Sequence, residues 1–157
     1  MQKVAIFVDV QNIYYTTKQC YQRHFNYRAF WAEATTDRQV LVAFAYAIDK
    51  GDPKQQAFQQ ILRQLGFTVK LKPYIQRCDG SAKGDWDVGI TLDVLDYAAQ
   101  ADVVVLVSGD GDFDLLLDKT QQHYHTQTEV YGVTSLTAPS LITAATRFIA
   151  VDDRLLL

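Results

Sequence analysis

Two apolar runs restrict the folds open to this chain: "KVAIFVDV" at Lys3–Val10 and "VVVLVSGDGDFDLLL" at Val103–Leu117. In each, apolar and β-branched residues follow one another without polar alternation and lead to an aspartate: Asp9 in the first and, after Ser108-Gly109, Asp110 in the second. A third run, "QVLVAFAYAI" at Gln39–Ile48, is apolar throughout. Strands of this kind are covered on both faces, as happens in parallel sheets flanked by helices.

Helical patterns separate the strands, which is the alternation of an α/β protein. Helices are expected from about Val10 to His24 and over Tyr27–Ala34. A third opens with Asp52 as N-cap and Pro53 at the first position, carries a stripe of Ala57, Phe58, Ile61, Leu62 and Leu65, and closes at Gly66. "FTVKLKPYI" reads as a third strand and "QRCDGSAKGD" as a polar loop. Further helices are expected at Trp86–Ala99, Asp112–His123 and Pro139–Thr146, with strands at "TEVYGV" and "RFIAV". The 157 residues hold no repeat or linker-like segment, so a single domain over 1–157 is expected.

No apolar run approaches the ~20 residues of a membrane span. The stretch Met1–Lys3 leaves no room for the charged start of a signal peptide, and Cys20 and Cys78 lack metal-ligand spacing. A cytoplasmic protein with reduced thiols and no membrane partner is expected.

The net charge of −3 conceals a strong asymmetry. Lys54–Lys83 carries six basic residues against one acid, whereas Asp85–Asp118 carries nine aspartates and no Lys or Arg. In an open parallel sheet, ligands bind beyond the carboxyl ends of the strands. If the runs ending at Asp9 and Asp110 are neighbours, these two acids face one another there, with Asp112 pointing into the same space and Asp87 arriving from the preceding helix. Carboxylates so gathered repel unless divalent metal neutralises them. Oxygen ligands suit Mg²⁺ or Mn²⁺, and such ions promote phosphodiester hydrolysis. Taken singly, each acid has a plainer reading: Asp9 can simply end a strand, and Asp112 can cap a helix starting at Phe113. Asp93 and Asp96 have the spacing of a solvated helix face.

Three rival motifs fail on spelling. An EF-hand loop starting at Asp110 would need Gly at Leu115 and Glu at Gln121. A dinucleotide loop would need a third glycine after Gly109 and Gly111. A phosphoaspartyl hydrolase would carry an acid at Gln11. His24, His123 and His125 accompany no nucleophile signature.

"FVDVQN", "KGDWDVGITLDVLDYA" and "VVVLVSGDGDFDLLL", in this order, resemble the NYN domain in its LabA-like branch, within the PIN-like nuclease superfamily; the likeness runs through nearly the whole chain. The resemblance implies a three-layer α/β/α sandwich around a mainly parallel sheet, an acidic Mg²⁺ or Mn²⁺ site, and hydrolysis of RNA phosphodiester bonds. By its motifs, Asp9, Asp87, Asp110 and Asp112 are the expected catalytic and metal-binding acids, with Asp93 secondary. Asn12, Ser108 and Lys83 are expected beside the substrate. The chain departs from the family at Val10, where Gly is common, at Leu115, where Pro is frequent, and at Thr146, where an Asp is usual.

Single-stranded RNA is the expected partner, along a track of Lys70, Lys72, Tyr74 and Arg77, with Trp86 as a base-stacking candidate or a core anchor. A homodimer is left open. The alternative readings are a non-catalytic RNA-binding or regulatory module of the same fold, and a phosphohydrolase acting on small nucleotides.

Overall fold

The computed structural model describes residues 1–73, 75, 76, 82, 83 and 85–157, with backbone alone for 75, 76, 82 and 83. Six strands form one parallel sheet: β1 (Gln2–Asp9), β2 (Arg38–Asp49), β3 (Thr68–Pro73), β6 (Val103–Val107), β7 (Gln127–Gly132) and β8 (Arg147–Ala150). Their spatial order is β3-β2-β1-β6-β7-β8. The helices are α1 (Val10–Tyr21), α2 (Tyr27–Thr35), α3 (Pro53–Leu65), α4 (Asp87–Ala98), α5 (Asp114–Tyr124) and α6 (Pro139–Ala144). Two short strands, β4 (Ile75–Gln76) and β5 (Ala82–Lys83), pair antiparallel where the sequence suggests only a strand end and a loop. No helix among the described residues is long and apolar enough to cross a membrane.

The central strands explain the three layers. Val4, Ala5, Ile6, Phe7 and Val8 of β1 are all fully buried, as are Val103, Val104, Val105 and Val107 of β6. Alternate side chains serve opposite faces. Val4, Ile6, Val8, Val103, Val105 and Val107 pack with Ile13, Phe30 and Leu62 of α1–α3. Ala5, Phe7, Val104 and Leu106 pack with Ile90, Val94, Leu117 and Leu141 of α4–α6. The connection after β1 leads outward on one side of the sheet and β6 begins the other half, so the strand order reverses between them.

Local signals place most helix ends. Asp52 accepts from the Lys54 N–H at 2.9 Å, Pro53 opens α3, and Gly66 closes it at φ +126°. The buried stripe of α3 differs from the expected one. Leu62 is fully buried, but Ile61 is 50% exposed and Ala57 faces solvent, while Gln59 is buried. α1 stops at Tyr21, short of His24, because Gln22 turns into the left-handed region at φ 54°. The helix expected from Asp112 begins instead with a 3-10 turn at Gly111–Phe113.

This burial pattern separates two neighbouring positions. Leu62→Ala is expected to cost about 2–5 kcal/mol in urea unfolding, and Ile61→Ala under about 1 kcal/mol. Equal losses would contradict the assignment of the α3 core face.

Candidate functional site

The ends of β1 and β6 are tied together by side chains. Asp9 N-caps α1, its Oδ1 accepting from the Asn12 N–H at 3.3 Å. Its Oδ2 accepts from the Ser108 hydroxyl at 3.3 Å, across to β6. The Asn12 Oδ1 accepts from the Gly109 N–H at 2.9 Å. The Asp110 N–H returns to the Ser108 Oγ at 3.2 Å, and the Asp110 Oδ1 accepts from the Asp112 N–H at 2.9 Å. Asp110, and not Asp112, is thus the cap of the turn that leads into α5.

Neither Gly109 nor Gly111 is among the positive-φ glycines. Their role is close approach. A Cβ at Gly109 would stand 2.6 Å from the Leu136 carbonyl oxygen, and one at Gly111 would meet Ala138 at 2.8 Å.

Asp87 lies in the first turn of α4, directed to the same end of the sheet. Trp86 fixes that helix start: its Nε1 donates to the Ala47 carbonyl at 2.9 Å, and its ring lies where a Gly89 side chain would be. Trp86 therefore serves as the core anchor, its ring contacting Tyr46 on one side and covered by Lys72 at 4.4 Å on another.

Asp87, Asp110 and Asp112 each direct a carboxylate oxygen into one space, the three atoms within 4.8 Å of one another. Asp9 lies beside this triad, engaged with Asn12 and Ser108. Burial drives its carboxyl up to about 6, opposed by its two hydrogen bonds and reinforced by the charges of Asp110 and Asp85. Asp87 is pushed up to about 7, first by burial, then by Asp110, Asp85 and Asp9. Among the described residues no ion pair reaches the three acids. A crowded set of hard oxygen donors such as this suits a divalent cation.

Other expected residues are placed elsewhere. Asp93 accepts from Lys70 Nζ at 2.6 Å and from the Tyr46 hydroxyl at 2.7 Å, so it is neither solvated nor part of the triad. The Lys70 ammonium also sits 4.0 Å over the Phe44 ring. Lys72 donates to the Asp85 carbonyl at 3.1 Å. Both lysines of the suggested RNA track thus have partners within the protein, and Tyr74 and Arg77 lie outside the described residues. Lys83 contributes its backbone to β5, and its side chain likewise lies outside what is described. Thr146 exchanges hydrogen bonds with Thr128 at the amino end of β8, away from the acids. Asp85, which the sequence reading did not single out, accepts from the Asp87 N–H at 3.2 Å and adds negative potential at both Asp9 and Asp87. Its place in "DWD", two residues before Asp87, was the available signal.

The NYN domain family model matches residues 3–152. The chain belongs to the NYN domain family. NYN domains are related to nucleases, and the fold is the parallel α/β sandwich that the resemblance implies. This NYN domain is 28% identical over 162 residues to "Low amplitude and bright protein LabA" of Synechococcus elongatus, covering 96% of this chain and 84% of that protein. It is also similar to the crystal structure of a protein of unknown function from Vibrio parahaemolyticus, at 56% identity and a TM-score of 0.95, covering 99% of this chain and 96% of that one.

The raised acids set a sign for the pH dependence. Burial raises the Asp9 carboxyl in the folded state from its ordinary 3.8 to about 6, so the folded state holds its proton longer. Its contribution to stability falls as pH rises from about 4 to 6, by up to about 3 kcal/mol. In metal-free buffer, Asp9→Asn is therefore expected to gain stability relative to wild type as pH rises through that window, followed by thermal unfolding. A variant that instead loses ground toward pH 7 would contradict the burial cost assigned to Asp9.

Proposed function

We propose that this NYN domain is a metal-dependent ribonuclease that hydrolyses phosphodiester bonds of single-stranded RNA. The observation that carries this reading is the meeting of Asp87, Asp110 and Asp112 within 4.8 Å at the carboxyl ends of the strands. Mg²⁺ or Mn²⁺ held there would polarise the scissile phosphate and lower the pKa of a bound water.

The chain's own residues have separable tasks in this reading. Asp87 and Asp110 hold the ion from two different elements, so neither can move without α4 or the β6 end moving. Asp112, the exposed member of the triad, would complete the ion's ligand set with one carboxylate oxygen and accept the proton of the attacking water with the other. Asp9 stays behind them, its orientation set by Ser108 and the Asn12 N–H. Asn12 acts as a positioning residue, because its Oδ1 holds the Gly109 N–H just ahead of Asp110. Ser108 works through Asp9 and Asp110 as well, and a cytoplasmic location belongs to the same reading.

Incubation of labelled single-stranded RNA with Mn²⁺ tests the proposal. Wild type is expected to cleave, chelation to stop cleavage, and Asp110→Asn to lower the rate at least ~100-fold. Equal product from wild type and Asp110→Asn would remove the catalytic assignment.

A further inference from the structure

Lys70 of the basic segment is ion-paired to Asp93 and Lys72 donates to the Asp85 carbonyl, whereas the outer face of α1 carries exposed basic and aromatic side chains. Between Asp9 and Glu33 the sequence has no carboxylate side chain, while Lys18, Arg23, Arg28 and His24 lie within that interval. The stretch begins at Asp9, so a segment without carboxylates of its own adjoins the acidic site. Arg23 is paired with Asp153, which leaves Lys18, Arg28 and His24 exposed.

Aromatic rings accompany this charge. Tyr15 is 53% exposed and Tyr14 39% exposed, on successive positions of α1. Their rings meet edge to face at 5.4 Å. Tyr14 is covered by His24, stacked at 5.8 Å, and by Lys18 Nζ, which lies 5.5 Å over the ring and donates to the Tyr14 hydroxyl at 3.4 Å. Tyr14 is therefore a buttress, and the Tyr15 ring, held by its neighbour, is the one open to a ligand. A ring fixed this way has little rotamer freedom to lose on contact. Tyr15 follows Asn12 by three residues, so it is that residue's neighbour one turn along the helix, about 5 Å down the axis. Asn12 borders the acids through its bond to Gly109.

We propose that this face of α1 binds the single-stranded RNA entering or leaving the acidic site, with Tyr15 stacking a base and Lys18 meeting a phosphate. The choice of RNA as the polymer rests on the ribonuclease reading of the site. Paired bases are not free to stack on a protein ring, so the platform selects unpaired strands. Stacking accepts any base, so the platform does not read sequence.

Fluorescence anisotropy with a short labelled single-stranded RNA, in EDTA to prevent turnover, tests this. Tyr15→Ala is expected to weaken binding about tenfold to thirtyfold, the loss of about one stacked base, and Tyr15→Phe to retain it. Lys18→Ala is expected to reduce the slope of log affinity against log salt by about 1. Wild type that does not bind single-stranded RNA, or Tyr15→Ala that binds like wild type, overturns the inference. So does a wild-type dimer that Tyr15→Ala converts to monomer with unchanged RNA affinity, which would assign the face to a second copy of the chain. Cleavage assays on the same proteins separate the two readings: RNA bound through Tyr15 but never cut leaves this inference standing and removes the nuclease, and RNA cut with binding indifferent to Tyr15 does the reverse.

Discussion

The bonds that join the carboxyl ends of β1 and β6 determine everything built above them. Asp9 to Ser108 and Asn12 to Gly109 link residues about a hundred positions apart, at the point where the strand order reverses. They extend the tie beyond the backbone ladder, which pairs β1 with β6 only as far as Val8 and Val107. With them, Asp110 is presented at a fixed height, its own carboxylate capping the turn that carries Asp112. The strands beneath are fully buried on both faces, so the platform cannot relax to relieve the repulsion.

The third acid comes by a different route. The position of Asp87 follows from α4, whose Ile90, Val94 and Ala98 are buried against the sheet. Trp86 fixes the start of that helix by its bond to Ala47 and its contact over Gly89. Asp87 is thus held near Asp110 by apolar packing, against its own electrostatic preference. Burial is the main reason that the Asp9 and Asp87 carboxyls are raised, and the neighbouring acids push them further in the same direction. A divalent cation would reverse the sign of the local potential.

Much of this was legible because apolar runs that end in aspartate have few places to go. The parallel sheet follows from the strand runs. The adjacency of β1 and β6 stood in the sequence only as a condition; once it holds, the rule that sites lie beyond the strand ends brings Asp87, Asp110 and Asp112 together. Side-chain partners were not legible. Asp93 looked solvated by its helical spacing, but Lys70 and Tyr46 reach it from β3 and β2, and nothing local reports a contact across the sheet. The α3 stripe was misread because its apolar residues exceed what one face can bury, and spacing alone could not show that Gln59 would be covered in place of Ile61. Gly109 and Gly111 were legible as special positions, but the reason, the approach of the segment around Leu136 and Ala138, depends on tertiary packing. Tyr15 carries no signal in the sequence, because exposure is invisible in a single chain of residues.

The central claim is that Asp87, Asp110 and Asp112 form one cation site. Anomalous diffraction from crystals soaked in Mn²⁺ tests it most directly. The account expects a manganese peak at bonding distance from carboxylate oxygens of all three residues, and its loss in Asp110→Asn crystals. A well-ordered site at saturating Mn²⁺ with no peak among the three carboxylates would contradict it.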